Sequence, residues 1–328
     1  MRSEQEIIQR YFAPLAGAEG LNLADDAALL PPDPQCDLVV TSDLIAEGIH
    51  FLRDDPPGAI AAKALRVNLS DLYCKGADPF GYLLDLGLGD QVDEDWIAAF
   101  AQGLREDQDR YGIRLIGGDT NRCKGGTVVA IAAFGRVPEG KMVRRSGATP
   151  GDIVAVSGTI GDAALGLEVR QGRFRGSAEA ENYLLARLRY PELRAAAAAT
   201  IRAYATSAMD ISDGLVGDLA KLCLSSEVGA IVDAETVPLS PATRSAIGAE
   251  SRLFDVAVTG GEDFEILATI PGPSLMEFLA ESAAVEVSFT PIGRIVAEVG
   301  PPTFLDGDRH PIEFDRVAFD HFVPGRRT

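Results

Sequence analysis

Short groups of acids punctuate this chain where turns and strand ends are expected. They are Asp25-Asp26, Thr41-Ser42-Asp43, Asp71, Asp119, Asp210 and Asp213. Mg²⁺ is a hard cation that takes carboxylate, water and phosphate oxygens in octahedral geometry. A site that draws one or two carboxylates per ion from several loops, and leaves the other positions to water and phosphate, suits it. Such a site also suits phosphoryl transfer, which needs in-line positioning and charge neutralisation more than covalent help. Taken singly these residues say little, because an Asp in a turn is usually a cap or an Asx-turn. Asp71 lies inside an Ala/Leu/Val helix, where an exposed polar face is the simplest reading. Only the groups together point to a cation site.

Asp210-Ile211-Ser212-Asp213-Gly214-Leu215 is the most informative local pattern. Two carboxylates and a hydroxyl gather at the mouth of a helix, whose N–H groups can orient phosphate or carboxylate oxygens. The plainer alternative is a helix N-cap supplied by Asp213. No EF-hand loop is present. Gly135 to Met142 imitates a phosphate-binding loop, but the Ser/Thr expected after Lys141 is missing and Pro138 interrupts it. Gly158-x-x-Gly161 before a helix is explained as well by tight packing. Arg144 and Arg145 precede Ser146-Gly147, and an Arg there could brace a phosphate through two parallel hydrogen bonds. A solvated linker is the alternative.

The elements that must position these residues alternate between strands and helices. Ser3 and Glu6 form a capping box, with Ile7, Ile8, Tyr11 and Phe12 on one helical face. A buried strand is expected over Leu38–Thr41, a helix over Ala59–Tyr73, and a strand over Gly81–Leu88. Asp93 caps a long helix that closes at Gly112. Leu115-Ile116 is a short strand running into Gly117-Gly118, and Thr127–Phe134 another. Pro138 to Asp152 is turn-rich and marks the domain junction. Beyond it come a strand at Ile153–Val156 and helices at Asp162–Gln171, Ala178–Arg189, Arg194–Tyr204 and Leu215–Ser225. Strands follow at Ala230–Val232 and Asp255–Thr259. A glycine pair after a strand occurs twice, at Gly117-Gly118-Asp119 and at Gly260-Gly261-Glu262-Asp263, as a faint internal echo. This alternation predicts two α/β or α+β domains.

With 328 residues the chain is long for one core. Its 46% hydrophobic and 24% charged residues are ordinary for a globular protein. No run of apolar residues is long enough to span a membrane. The first residues carry acids and an amphipathic pattern, unlike a secretory signal. Cys36, Cys74, Cys123 and Cys223 form no CxxC pair, so a zinc site or disulfide framework is not expected and a reducing cytoplasm is. A net charge of -19 repels nucleic acid and anionic membranes, and it would repel a polyphosphate too. A protein of this charge that binds ATP needs local cations. The motif regions hold far more Asp than Lys or Arg, which points to metal.

Longer segments carry a resemblance. They include Asp25-Asp26-Ala27-Ala28-Leu29, Thr41-Ser42-Asp43 with Gly48-Ile49-His50-Phe51, and Lys63 to Asp71. Gly76-Ala77-Asp78-Pro79, Gly117-Gly118-Asp119-Thr120 and Arg145-Ser146-Gly147-Ala148 follow. The second half adds Asp210 to Leu215, Gly260-Gly261-Glu262-Asp263 and Phe319-Asp320-His321-Phe322. In order and spacing they resemble the thiamine-monophosphate kinases, within the superfamily of aminoimidazole ribonucleotide synthetases, over nearly the whole chain.

The resemblance implies a two-domain aminoimidazole ribonucleotide synthetase-like fold, with residues 1–138 and 139–328 as the domains. It implies a homodimer paired through N-terminal sheets, with no nucleic-acid or membrane partner. The first domain would carry metal- and ATP-binding aspartates and the dimer interface, and the second would complete the ATP and substrate site. Several Mg²⁺ ions would bind Asp26, Thr41, Ser42, Asp43, Asp71, Asp119, Asp210 and Asp213. ATP would meet Gly118, Asp119, Arg145 and Ser212, and thiamine monophosphate His50, Glu262 and Phe319. The implied reaction is direct transfer of the γ-phosphoryl group, with no covalent intermediate. Two positions depart from the family pattern, Ala24 where Gly is usual and Ile49 where Asn often stands. If position 24 needs positive φ, Ala would strain the turn by roughly 1 kcal/mol or more. Competing readings are another ATP-using member of the superfamily and a non-catalytic acidic metal-binding protein.

Overall fold

The computed structural model describes residues 3–25 and 27–314. The chain divides into two compact units. One holds the chain up to Tyr73 together with Ala77–Met142, and the other holds Cys74–Gly76 and the chain from Val143 onward.

The first unit opens on a short helix α1 (Glu4–Ile7) with the Ser3/Glu6 capping box in place. Its sheet contains β1 (Cys36–Ala46), β2 (Asp78–Leu88), β3 (Arg114–Arg122) and β4 (Val128–Pro138). The strand order is β1-β4-β2-β3, antiparallel except for the β2/β3 pair. Helix α2 (Pro57–Cys74) joins β1 to β2, and α3 (Glu94–Tyr111) makes the crossover between the parallel strands. Every residue of α2 from Ala59 to Ser70 is buried, as a helix that is apolar nearly all round should be. Its polar members are paired. Arg66 grips Asp107 of α3 through two 2.7 Å bonds, and Lys63 Nζ donates to the His50 carbonyl at 2.7 Å. At the start of α3, Asp93 accepts from the Trp96 amide, and at its end Gly112 turns left-handed with φ 70°.

The second unit carries a six-stranded sheet. Its members are β5 (Ile153–Ser157), β6 (Ser207–Asp210), β7 (Gly229–Asp233), β8 (Ile266–Ile270), β9 (Phe289–Val296) and β10 (Thr303–Leu305). The order is β10-β7-β9-β5-β8-β6. Its helices are α4 (Asp162–Arg170), α5 (Ala178–Arg189), α6 (Ala198–Tyr204), α7 (Leu215–Ser226), α8 (Pro241–Ala249), α9 (Leu253–Thr259) and α10 (Leu275–Ala284). Alternation along the strands sends side chains to two cores. Val154 and Val156 join Leu215, Leu219 and Leu222 of α7 on one face. Ala155, Ala208 and Ala268 join Ile201 of α6 and Phe278 of α10 on the other.

Four expectations are corrected. Residues 255–259 are not a strand but belong to α9, where Leu253 and Ala257 are buried one turn apart. The strand comes after the glycine pair, as β8, which is buried at every position between β5 and β6. Gly117-Gly118 lies inside β3, not after it, so the internal echo dissolves. β1 is longer than Leu38–Thr41 and half exposed, because alternate side chains Leu38, Val40 and Leu44 face outward. Finally, Ala24 sits at φ -110° without strain. The left-handed residues are Leu21, Asn22 and Leu23 just before it.

Candidate active site

In the first unit, β1 and α2 bring three of the expected residues together. Thr41 and Asp43 alternate onto the inner face of β1, toward α2. The Thr41 hydroxyl donates to Asp71 at 2.5 Å, and the Asp43 amide donates to Asn68 of α2 at 3.1 Å. Burial, and then the charge and hydrogen bond of Asp71, push the Asp43 carboxyl up to about 6. A neighbouring carboxylate disfavours ionisation of the Asp43 group. Asp71 is therefore no solvated helix face. Ser42, between Thr41 and Asp43, is exposed on the opposite face with Val40 and Leu44. Asp26 lies outside the described residues.

His50 follows β1 in a tight turn. Its Nδ1 accepts the Ala46 N–H at 3.1 Å, which assigns the ring proton to Nε2 in this conformation.

Asp119 is exposed on β3 and accepts from the Thr120 amide and the Asn121 side chain. Before it, Gly118 has φ 140°, and a Cβ there would lie 1.9 Å from the Leu84 carbonyl oxygen. Only glycine lets β3 approach β2 this closely. Gly117, Gly118, Asp119 and Asp25 edge a cavity of about 440 Å³ whose apolar wall includes Ile8, Phe12, Leu83 and Phe134.

In the second unit, Asp210 ends β6 and Ser212-Asp213 turn into α7. Asp213 does not cap that helix. Gly214 is the N-cap residue, and no side chain caps there. The turn is held from inside α7 instead. One oxygen of the fully buried Asp218 accepts from the Ser212 and Asp213 amides, both at 2.9 Å. Its other oxygen accepts from Lys221 Nζ at 2.7 Å, and Lys221 also reaches Asp213 at 2.5 Å. Burial alone would pull the Lys221 ammonium down, but Asp213 and Asp218 outweigh it and hold it above the ordinary lysine value.

The segment carrying Glu262 is locked to the same turn. The Glu262 amide donates to the Ser212 carbonyl at 2.9 Å, and the Phe264 amide to that of Ile211 at 2.8 Å. Glu262 and Phe264 are left-handed, with φ 78° and 52°. Between them Asp263 accepts from the Gly161 and Ala163 amides at 2.6 and 3.1 Å. Burial pushes the Asp263 carboxyl up to about 8, against the pull of those two bonds. Arg145 is exposed, in a turn whose carbonyl at 145 and amides at 147 and 148 all bond the Ser226 hydroxyl. Phe319 lies outside the described residues.

Sequence reasoning missed Asn68, Asp218, Lys221 and Asp263. Asp218 had a readable signal, an acid inside the apolar run of α7 with a lysine three residues on. The donor sets fit Mg²⁺. The expected ligands are carboxylates and hydroxyls, the oxygens this ion prefers, and on Asp213 a lysine ammonium stands where positive charge is wanted.

Residues 24–137 match the family model described as "AIR synthase related protein, N-terminal domain", and residues 149–302 match its C-terminal counterpart. The chain is thus built of the two AIR synthase related domains. A thiamine-monophosphate kinase of Escherichia coli K12 is 37% identical over 98% of each chain. The crystal structure of thiamine-monophosphate kinase from Stenotrophomonas maltophilia is 36% identical, with a TM-score of 0.80 over 88% of this chain and 90% of that one. AaThiL, solved in complex with AMPPCP and TMP, is 26% identical, with a TM-score of 0.77 over 98% and 99%. The chain belongs to the thiamine-monophosphate kinase family.

Proposed function

We propose that this protein transfers the γ-phosphoryl group of ATP to the phosphate of thiamine monophosphate, giving thiamine diphosphate and ADP as the last step of thiamine diphosphate biosynthesis. The observation that carries the reading is the full-length match to the Escherichia coli enzyme, at 98% coverage of both chains. The binding of AMPPCP and TMP by AaThiL supports the choice of co-substrate and acceptor.

Asp26, Thr41, Asp43, Asp71 and Asp119 of the first unit, and Asp210 and Asp213 of the second, would hold several Mg²⁺ ions. Ser42 belongs to the same set, but its side chain lies on the opposite face of β1, so it would reach an ion through its backbone carbonyl. Bound there, Mg²⁺ would offset the repulsion between two anionic phosphates. The nucleoside of ATP would occupy the cavity beside Gly118 and Asp119, with Arg145 and Ser212 contacting its phosphates. His50, Glu262 and Phe319 would contact thiamine monophosphate, His50 donating from Nε2. The acceptor phosphate is already ionised near neutral pH, so the chain need supply no general base. An acceptor oxygen attacks the γ-phosphorus in line, and the bond to the β-phosphate oxygen breaks. Proximity and charge placement supply the catalysis. The outward face of β1 would pair with a second copy.

The test is direct. Incubated with ATP, Mg²⁺ and thiamine monophosphate, the protein should form thiamine diphosphate, read by mass, and form none when Mg²⁺ is chelated. Thiamine should be a poor acceptor, because it lacks the terminal phosphate. A folded protein that yields no thiamine diphosphate, or that prefers thiamine, overturns the reading.

A further inference from the structure

Lys221 occupies an unusual place for a surface lysine. It projects from the first turns of α7 back onto the Asp210–Asp213 turn, and it bridges two carboxylates with different duties. Asp218 is fully buried and shapes the turn by accepting the Ser212 and Asp213 amides. Asp213 is more than a third exposed and is one of the carboxylates assigned to Mg²⁺. Lys221 Nζ stands 2.7 Å from an oxygen of Asp218 and 2.5 Å from an oxygen of Asp213, with its own side chain 39% exposed. An ammonium needs at most three acceptors and tolerates varied directions, so it can release one carboxylate while keeping the other.

We propose that Lys221 is a tethered counter-ion for Asp213, a positioning residue that holds the carboxylate in the metal-free protein and gives it up to the divalent cation. This rests on the functional reading above. The bond to Asp218 keeps the ammonium beside the turn after Asp213 is released. Lys221 therefore competes with the ion it stands in for. It keeps Asp213 from repelling Asp218 when no metal is bound, and it weakens metal binding by the strength of one partly exposed ion pair plus cation–cation repulsion.

The sign of that effect separates the role from a merely structural one. Lys221→Met should bind Mg²⁺ more tightly than wild type, by roughly three- to tenfold in a calorimetric titration without nucleotide, while melting at a lower temperature in metal-free buffer. Lys221→Arg, which keeps the charge, should restore affinity toward wild type. In the unmodified protein, reductive methylation of Lys221, followed by peptide mass spectrometry, should speed up severalfold when Mg²⁺ is added. This measurement needs no variant, so it decides the matter even if Lys221→Met fails to fold. Equal or weaker Mg²⁺ binding by folded Lys221→Met, or methylation unchanged by Mg²⁺, overturns the proposal. Wild-type protein that binds no Mg²⁺ and forms no thiamine diphosphate would instead sink the functional reading.

Discussion

Asp43 and Asp71 lie close together, with Thr41 and Asn68 beside them. Thr41 donates one hydrogen bond to Asp71 and Asn68 fixes the Asp43 backbone, but neither carries charge. Asp43→Asn keeps a donor for Asp71 and removes the charge conflict. It should raise the stability of the metal-free protein near pH 7.5 by roughly 1–2 kcal/mol, read as a higher melting temperature. The same change, and Asp119→Asn, should each lower turnover by about 10²-fold or more. Near-wild-type turnover in both variants at modest Mg²⁺ would remove the metal assignment. Asp263 offers a second test through pH. Its carboxyl titrates at about 8 in the fold against an ordinary 3.8. Between those values the folded chain holds a proton the unfolded chain has lost. Stability should therefore fall as pH rises across that window, by at most about 1.4 kcal/mol per pH unit. Asp263→Asn has no such proton, so its urea-unfolding free energy should change less between pH 5 and pH 7.5. Parallel curves for the two proteins would reject the assignment.

At the scale of elements, local signals were the legible ones. The capping box at Ser3, the Asp93–Gly112 bounds of α3 and the span of α5 follow from caps and apolar spacing within a turn or two of each residue. Misreadings arose where tertiary burial decides. The run Asp255–Thr259 is rich in β-formers, yet α9 buries Leu253 and Ala257 on one side and stays helical. β3 carries two glycines through its middle, which looks like a strand end until the pairing of Gly118 with Leu84 is known. For the site, the acid groups were visible as types and spacings. The contact of Asp43 with Asp71 was not, since it depends on how α2 is rotated against β1. Asp218 left a signal as an acid within an apolar run, but its hold on the Ser212-Asp213 amides was hidden for the same reason, because it exists only once α7 is folded against the turn. β1 shows what pattern alone can mislead about. Leu38 and Val40 suggest burial, but both are more than half exposed, as is Leu44 further along the same face. A row of large apolar side chains on a sheet face calls for a covering surface. Val40→Asp combined with Leu44→Asp should convert a sedimenting dimer to monomers and leave the circular dichroism spectrum unchanged. A wild-type protein that sediments as a monomer at micromolar concentration would discard the pairing.

The whole molecule determines the stereochemistry of the reaction it is proposed to catalyse. A chain of net charge -19 that brings together two phosphates must hold cations locally. Its candidate carboxylates would receive them, with Asp43 crowded by Asp71 and Asp213 sharing a lysine. A carboxylate committed to a cation is a poor nucleophile, so an aspartyl-phosphate gains nothing over attack by the substrate's own phosphate. His50 is no better placed as a carrier, because its Nδ1 is engaged by the Ala46 amide and its Nε2 carries the proton. His310 lies in an exposed turn, where Asp306 accepts from its backbone amide. A single displacement should therefore invert the configuration at phosphorus. With ATP made chiral at a γ-thiophosphate, the thiamine diphosphate analogue formed should show inversion. Net retention would require two displacements and a phosphorylated protein residue. Direct transfer would then have to be abandoned, even with the acceptor and the metal ligands unchanged.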